Sequence, residues 1–213
     1  MSKKLLFLTA VVLLLGLFTA PASAGLVSWW KLDDGGGSTA VDSGSAGNNG
    51  SVNGPLWVTG KVNGGLDFDG TDDYVEIPNE SDYDITSSIT VAVWLKLDPG
   101  DTTTNFMSFV TKGRESAWAL QRNARTSNVS FVLNGLTGWD GLKGSANVFD
   151  GEWHHVAGVY DGSKISIYVD ATEDTFTNVT GSIGTNDWGV FIGANAEDVN
   201  SSSGYRHCNG IID

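Results

Sequence analysis

The chain has 213 residues, with 25 Asp and Glu against 12 Lys and Arg and a formal charge of −13. An acidic surface of that size repels nucleic acid and anionic membranes, tolerates neutral sugars, attracts divalent cations and also serves solubility. Cys208 is the only cysteine, which excludes an intrachain disulfide and leaves core packing, with any metal the fold binds, to hold an exported chain together.

The chain opens MSKKLLFLTAVVLLLGLFTAPASAG: a basic pair (Lys3, Lys4), an apolar run over 5–18, and the small-residue close Ala22-Ser23-Ala24. This reads as a secretory signal peptide cleaved after Ala24. The run is shorter than the about twenty residues of a membrane span, and nothing later is apolar enough to cross a bilayer. Removal of 1–24 leaves 189 of the 213 residues, a length that suits one all-β domain. Loss of the two leader lysines takes the mature formal charge from −13 to −15.

Helical periodicity is hard to find after residue 25. Period-two apolar runs separated by Gly, Asn, Asp and Ser take its place, the pattern of an antiparallel β protein. In chain order the predicted strands are LVSWWKL (26–32), GLDFD (65–69), DYVEI (73–77), ITVAVWLKL (89–97), FMSFVTK (106–112), WALQR (118–122), VSFVLN (129–134), WHHVAGVY (153–160), KISIYVD (164–170) and VFIG (190–193). Long wet segments connect them at 33–55, 98–105 and 134–152. In ITVAVWLKL, Ile89, Val91, Val93, Leu95 and Leu97 share one face, with Thr90, Ala92, Trp94 and Lys96 on the other. About ten short strands in one domain suggest two packed sheets, a closed barrel being the alternative.

Several segments together resemble one family, the LamG-like, concanavalin A-like jelly-roll domains. They are GLVSWWKLDDGGGSTAVDSGSAGNNGSV, GKVNGGLDFDGTDDYVEIP, ITVAVWLKL, FDGEWHHVAGVYDGSKISIYVD, VFIGAN and the final GIID. The resemblance covers nearly all of 25–213 and implies an all-β, two-sheet antiparallel jelly-roll sandwich. It also implies a further apolar strand after Asp213, so that the C-terminal strand is incomplete here. Where the family turns on Gly after YVD this chain has Ala171, which predicts a longer hairpin, since a left-handed turn position suits Gly. Members often carry a structural calcium between the first long loop and the start of the last strand. By that resemblance its ligands are Asp34 in KLDDGG, Asp42 in VDSG and Asp213 in GIID, the metal replacing the missing disulfide.

The acid-rich run DFDGTDDYVEIPNESDYD (67–84) invites a glycosidase reading, with Glu80, Asp82 and Asp84 at period two. Glucanases that share the general sandwich use a Glu-Asp-Glu alternation inside an apolar strand. ESDYD lacks the third Glu and follows Pro78 in a turn-rich loop, and catalysis needs two carboxyls opposed across a sugar. The run therefore reads as a solvated rim, and Asp72 and Asp73 as turn residues that could also serve as metal ligands. His154 and His155 face opposite sides of a strand and cannot share a metal. The alternation of His155 with Trp153, Ala157 and Val159 suggests a core histidine.

Eight tryptophans are the remaining functional material, since sugar faces stack on flat rings with a polar edge. Trp29, Trp30, Trp94 and Trp153 fall in strand patterns and read as core, whereas Trp57, Trp118, Trp139 and Trp188 border loops. Trp139 with Asp140 beside it, and Trp188, are the candidate carbohydrate-binding residues. The reading is a secreted or envelope-borne, non-catalytic carbohydrate-binding or adhesion module, calcium-stabilised, whose partner is a glycan or polysaccharide or an extracellular protein. Nucleic acid is not expected as a partner, nor a membrane span in the mature chain. The rival readings are a structural or protein-interaction module, and a glycoside hydrolase or polysaccharide lyase.

Overall fold

The computed structural model describes residues 25–101, 105–113, 116–196 and 206–213. The leader expected over 1–24, and part of the excursion expected at 98–105, lie outside the described residues. The strands in chain order are β1 (Thr39–Ala40), β2 (Gly50–Asn53), β3 (Leu56–Thr59), β4 (Gly64–Asp69), β5 (Tyr74–Ile77), β6 (Ile89–Leu97), β7 (Ser108–Lys112) and β8 (Trp118–Arg122), followed by β9 (Val129–Leu133), β10 (Leu142–Lys143), β11 (Trp153–Tyr160), β12 (Lys164–Val169), β13 (Thr172–Asn178), β14 (Val190–Ile192) and β15 (Asn209–Ile212). A 3-10 turn at Glu80–Tyr83 is the one helical element among the described residues.

The strands form two antiparallel sheets, ordered β1-β2-β5-β14-β7-β8-β9-β10 and β13-β12-β11-β6-β15-β4-β3, so the expected two-sheet jelly-roll sandwich is what the chain adopts. β6 follows its sequence pattern: the five aliphatic positions from Ile89 to Leu97 are buried and the alternate residues face out. Each fully buried Leu, Ile or Phe of the core contributes about 1.5–3 kcal/mol of transfer free energy. Close approach of the sheets is built in at Gly158 of β11, where a Cβ would come within 2.5 Å of the Phe131 ring on β9. In β7, β8 and β9, the fifth to seventh strands of the larger sheet, every residue is buried, so that part of the sheet is covered on both faces.

Four expectations require correction. The segment 26–32 is not a strand but makes a single bridge, Trp30 to Asp42. The Asp42 carboxylate takes the N–H groups of Trp29 (2.8 Å), Gly44 (2.7 Å) and Asn48 (2.9 Å), so a side chain does part of what a neighbouring strand would do. Trp29 is 52% exposed rather than core, whereas Trp118 of the loop-bordering set is buried.

The hairpin after β12 is short, not long. Val169 pairs with Thr172 across a two-residue turn in which Asp170 (φ 49°) and Ala171 (φ 64°) are both left-handed. That is the geometry whose twist matches the strands, and it is held by the Asp170 carboxylate, which accepts the His155 N–H at 2.9 Å.

His155 is on the outer face, half-buried and edge-on to Trp94 with centroids 5.1 Å apart. The inward row of β11 is His154, Val156, Gly158 and Tyr160, as the pairing of Val156 with Val93 requires. Gly158 breaks the apolar contrast of that row, which is why the alternation suggests the wrong face.

β15 pairs with β6 over Leu95–Leu97, and the backbone of Asp213 exchanges two hydrogen bonds with Trp94 (2.8 and 3.0 Å). Beyond that point no described strand pairs with 89–93 on this side. A cleft of about 160 Å³ separates that edge from 28–32.

Candidate functional site

The turn after β5 begins at Asn79, which is left-handed (φ 58°). It ends on buried Tyr83, whose hydroxyl lies 2.8 Å from Ser28 Oγ and accepts from Asn48 Nδ2 at 3.2 Å. The Tyr83 carbonyl accepts the indole N–H of Trp118 at 3.2 Å. With Tyr83 anchored, Glu80 and Asp84 both turn to Lys112, at the end of β7, whose Nζ lies 3.1 Å from Glu80 Oε2 and 2.8 Å from Asp84 Oδ1. Asp82 turns away and accepts from Asn48 Nδ2 at 2.8 Å. The three period-two acids therefore share no face. Two of them are counter-ions of a lysine side chain that is 0% exposed, which corrects their reading as simple solvated rim.

Lys112 also donates to the Asn186 carbonyl at 2.7 Å. Asn186 ties the loop to β7 and β8: its Nδ2 donates to the Lys112 carbonyl (3.0 Å) and to Ser116 Oγ (2.8 Å), and its Oδ1 accepts the Trp188 N–H (2.9 Å). Gly113 makes this approach workable, being left-handed (φ 59°). A Cβ there would meet Asn186 Nδ2 at 2.4 Å and Trp188 Cδ1 at 2.9 Å. The outcome is an open depression of about 590 Å³ lined by Asp84, Thr185, Asn186, Asp187 and Trp188, with Trp188, 48% exposed, on its wall.

Trp139 does not line this depression. It is 73% exposed in the loop between β9 and β10, and Asp140 beside it pairs with Lys143 at 3.0 Å. That loop packs on the segment leading to Trp188, since Gly135 lies against the Ser182 carbonyl and Leu136 against Gly181. The sequence singles out both exposed rings but not Lys112 or Asn186. A lysine closing the apolar run FMSFVTK is the one visible sign of a buried ammonium.

The carboxylates of Asp34, Asp42 and Asp213 are not gathered at one point. Asp34 accepts the Val41 N–H (3.2 Å), and Asp213 Oδ2 accepts the Val62 N–H (2.7 Å). Asp42 is saturated by backbone N–H groups; burial works against its charge, but bonds from Trp29, Gly44, Ser28 and Asn48 hold its carboxyl below the usual range. As a trio these side chains do not fit a metal. The carboxyl of Asp213 is raised by burial and by the charge of Asp33, so the neighbour in KLDDGG that approaches it is Asp33.

The group that does converge among the described residues is Asp69, Asp72 and Asp73, with one oxygen of each within 4.8 Å of the others. Asp73 is buried there; its Oδ2 accepts the Asp69 N–H at 2.9 Å. Burial, then the charges of Asp69 and Asp72, push its carboxyl above the usual range. An all-oxygen set with mutual repulsion is one that a hard divalent cation would fit. Cys208 is buried, and burial pushes its thiol far up, which disfavours the thiolate that a nucleophile needs.

An antiparallel two-sheet sandwich is the fold that the resemblance to concanavalin A-like domains implies. The sequence profile of the concanavalin A-like lectin/glucanases superfamily matches residues 69–213, and the chain belongs to that family. No curated protein sequence matches it.

Among solved structures it is similar to domain 4 of AbnA, a GH43 extracellular arabinanase of Geobacillus stearothermophilus in complex with arabinotriose (TM-score 0.59, 17% identity, 89% of each chain). It is also similar to the binding domain of Paraclostridial Mosquitocidal Protein 1 (TM-score 0.61, 12% identity, 81% of this chain and 44% of that one). A third likeness is to a Trypanosoma rangeli sialidase mutant (TM-score 0.59, 15% identity, 89% of this chain and 30% of that one). The chain thus spans less than half of the latter two, and at these identities the likeness is one of fold.

Proposed function

We propose that this is a secreted, non-catalytic carbohydrate-binding module whose site is the depression beside Trp188. The carrying observation is an exposed tryptophan, Trp188, on the wall of an open depression whose lining offers carboxylate and hydroxyl groups (Asp84, Asp187, Thr185). Such a site stacks a sugar's C–H face and hydrogen-bonds its hydroxyls. The absence of catalysis is supported by Glu80 and Asp84, which are engaged by one ammonium rather than opposed across a cleft. Export is supported by the leader and by the extracellular arabinanase with a related sandwich. Among the described residues no helix is long and apolar enough to cross a membrane. Calcium is the cation proposed for Asp69, Asp72 and Asp73, with a stabilising role.

Arabinotriose, held by the related arabinanase domain, is the first ligand to test, followed by a panel of short neutral oligosaccharides. Titration calorimetry should show binding by the wild type, at least ten-fold weaker binding for Trp188→Ala and little change for Trp139→Ala, while no reducing ends are released. Turnover, or full affinity in Trp188→Ala, would contradict the proposal.

A further inference from the structure

We infer that the Trp188 depression selects sugars carrying a protonated amine, of the glucosamine type. This rests on the glycan reading above and goes beyond it by naming the ligand class. Three carboxylates stand at or beside the depression: Asp84 and Asp187 on its wall, and Glu80 next to Asp84 on the same lysine. One described cation stands among them, Lys112, and it is unavailable to a ligand. Its side chain is wholly buried, and its three N–H groups have Glu80 Oε2 (3.1 Å), Asp84 Oδ1 (2.8 Å) and the Asn186 carbonyl (2.7 Å) to donate to. Lys112 balances one of the three negative charges, so two are left over at a depression whose wall carries the exposed Trp188. Asp187 in particular is exposed and makes no hydrogen bond or ion pair among the described residues.

An indole face favours a cation as well as a sugar's C–H face. A hydrogen bond from an ammonium to a carboxylate is roughly twice as strong as one between neutral groups. A glucosamine residue presents both features on one ring. N-acetylation removes the charge and keeps the ring, whereas a uronic or sulfated sugar would meet uncompensated carboxylates. The hydroxyl of Thr185 is left to read the sugar's hydroxyls.

The experiment is titration calorimetry with a short chitosan oligosaccharide, its fully N-acetylated twin and a neutral glucan of equal length, at low and at physiological ionic strength. The inference predicts that the amine form binds about ten-fold more tightly than its N-acetylated twin at low ionic strength, and that salt narrows the gap. Asp187→Asn should shrink the preference, read as the ratio of the two twins' affinities, several-fold, while Trp188→Ala should abolish binding of both. Equal affinity for the two twins, lost in Trp188→Ala, would overturn the amine preference and leave the glycan reading standing. Amine-dependent binding that survives Trp188→Ala would assign it to the overall acidity of the chain and overturn the inference. No binding of any of the three would overturn the inference, and the glycan reading would fall with it only if arabinotriose also failed to bind.

Discussion

At the scale of single residues, His154 is a group whose charged form its neighbours favour. Its Nδ1 lies 2.8 Å from Asp170 Oδ2 and its Nε2 lies 3.1 Å from Asp150 Oδ1. A neutral imidazole has one N–H and can satisfy only one of two carboxylates, whereas the imidazolium satisfies both. Burial opposes its charge, but the bonds to Asp170 and Asp150 outweigh it and raise its pKa above 6.5. A pKa raised on folding adds stability that is complete below 6.5 and lost as pH rises through the folded value. Both carboxyls are held below 3.8, Asp150 first by the Glu152 N–H and then by His154, Asp170 by His154 and the His155 N–H against burial. Their contribution is present above 3.8 and lost as pH falls through the folded values. Melting temperature measured against pH should therefore fall on the alkaline side of 6.5, and His154→Gln should flatten that limb. An unchanged limb in the variant would remove His154 as its cause. The doublet His154-His155 shows in the sequence that the two rings diverge; that one bridges two acids depends on turns at 150–152 and 170–171, which bring distant carboxylates to it.

At the scale of elements, the β12–β13 hairpin turns in two residues without a glycine. Ala171 at φ 64° carries the clash of its Cβ with the backbone, an expense of about 1–2 kcal/mol for a left-handed L-residue. Glycine removes that clash but loses more chain entropy on folding, so Ala171→Gly should stabilise by about 0.5–1 kcal/mol in denaturant unfolding. Destabilisation by the glycine would show that the Ala171 methyl makes a contact worth more than the strain.

Most strands are legible because one face is buried and the other wet, β6 above all. β7, β8 and β9 are legible as apolar runs, but no periodicity tells which side of VSFVL meets the core when both are covered. The strands β1, β2, β3, β10 and β13 are weak in the sequence. β13, reading TEDTFTN, is mostly exposed at a sheet edge, so its residues record neighbours in the sheet rather than burial. The site is legible where it is aromatic and exposed, at Trp188, though the same reasoning also selects Trp139, which lies outside it. It is hidden where a lysine 74 positions from Asn186 holds the loop, since no local pattern encodes such a contact.

At the scale of the whole molecule, 25 acidic residues against 12 basic ones make cations the natural stabilisers of a fold with one cysteine. Calcium held by Asp69, Asp72 and Asp73 would bind the folded state only, since the three oxygens meet across the turn between β4 and β5. At one hundred times Kd this adds about 2.7 kcal/mol, which for a domain of this size is a rise of about 5–10 °C in melting temperature. Asp72→Asn should remove most of that rise, and magnesium should serve poorly because it demands octahedral geometry and gives up water reluctantly. Equal melting in EDTA and in calcium would exclude a stabilising calcium.

The site at Trp188 is the claim on which the functional account turns, and a map of the whole surface tests it without choosing residues in advance. Backbone and indole N–H signals of the labelled protein, followed by nuclear magnetic resonance during titration with a bound oligosaccharide, should move for Asp84, Thr185, Asn186, Asp187 and the Trp188 ring. Shifts confined instead to the outer face of the smaller sheet, around Trp94, Trp153 and His155, would place the ligand elsewhere and contradict the account.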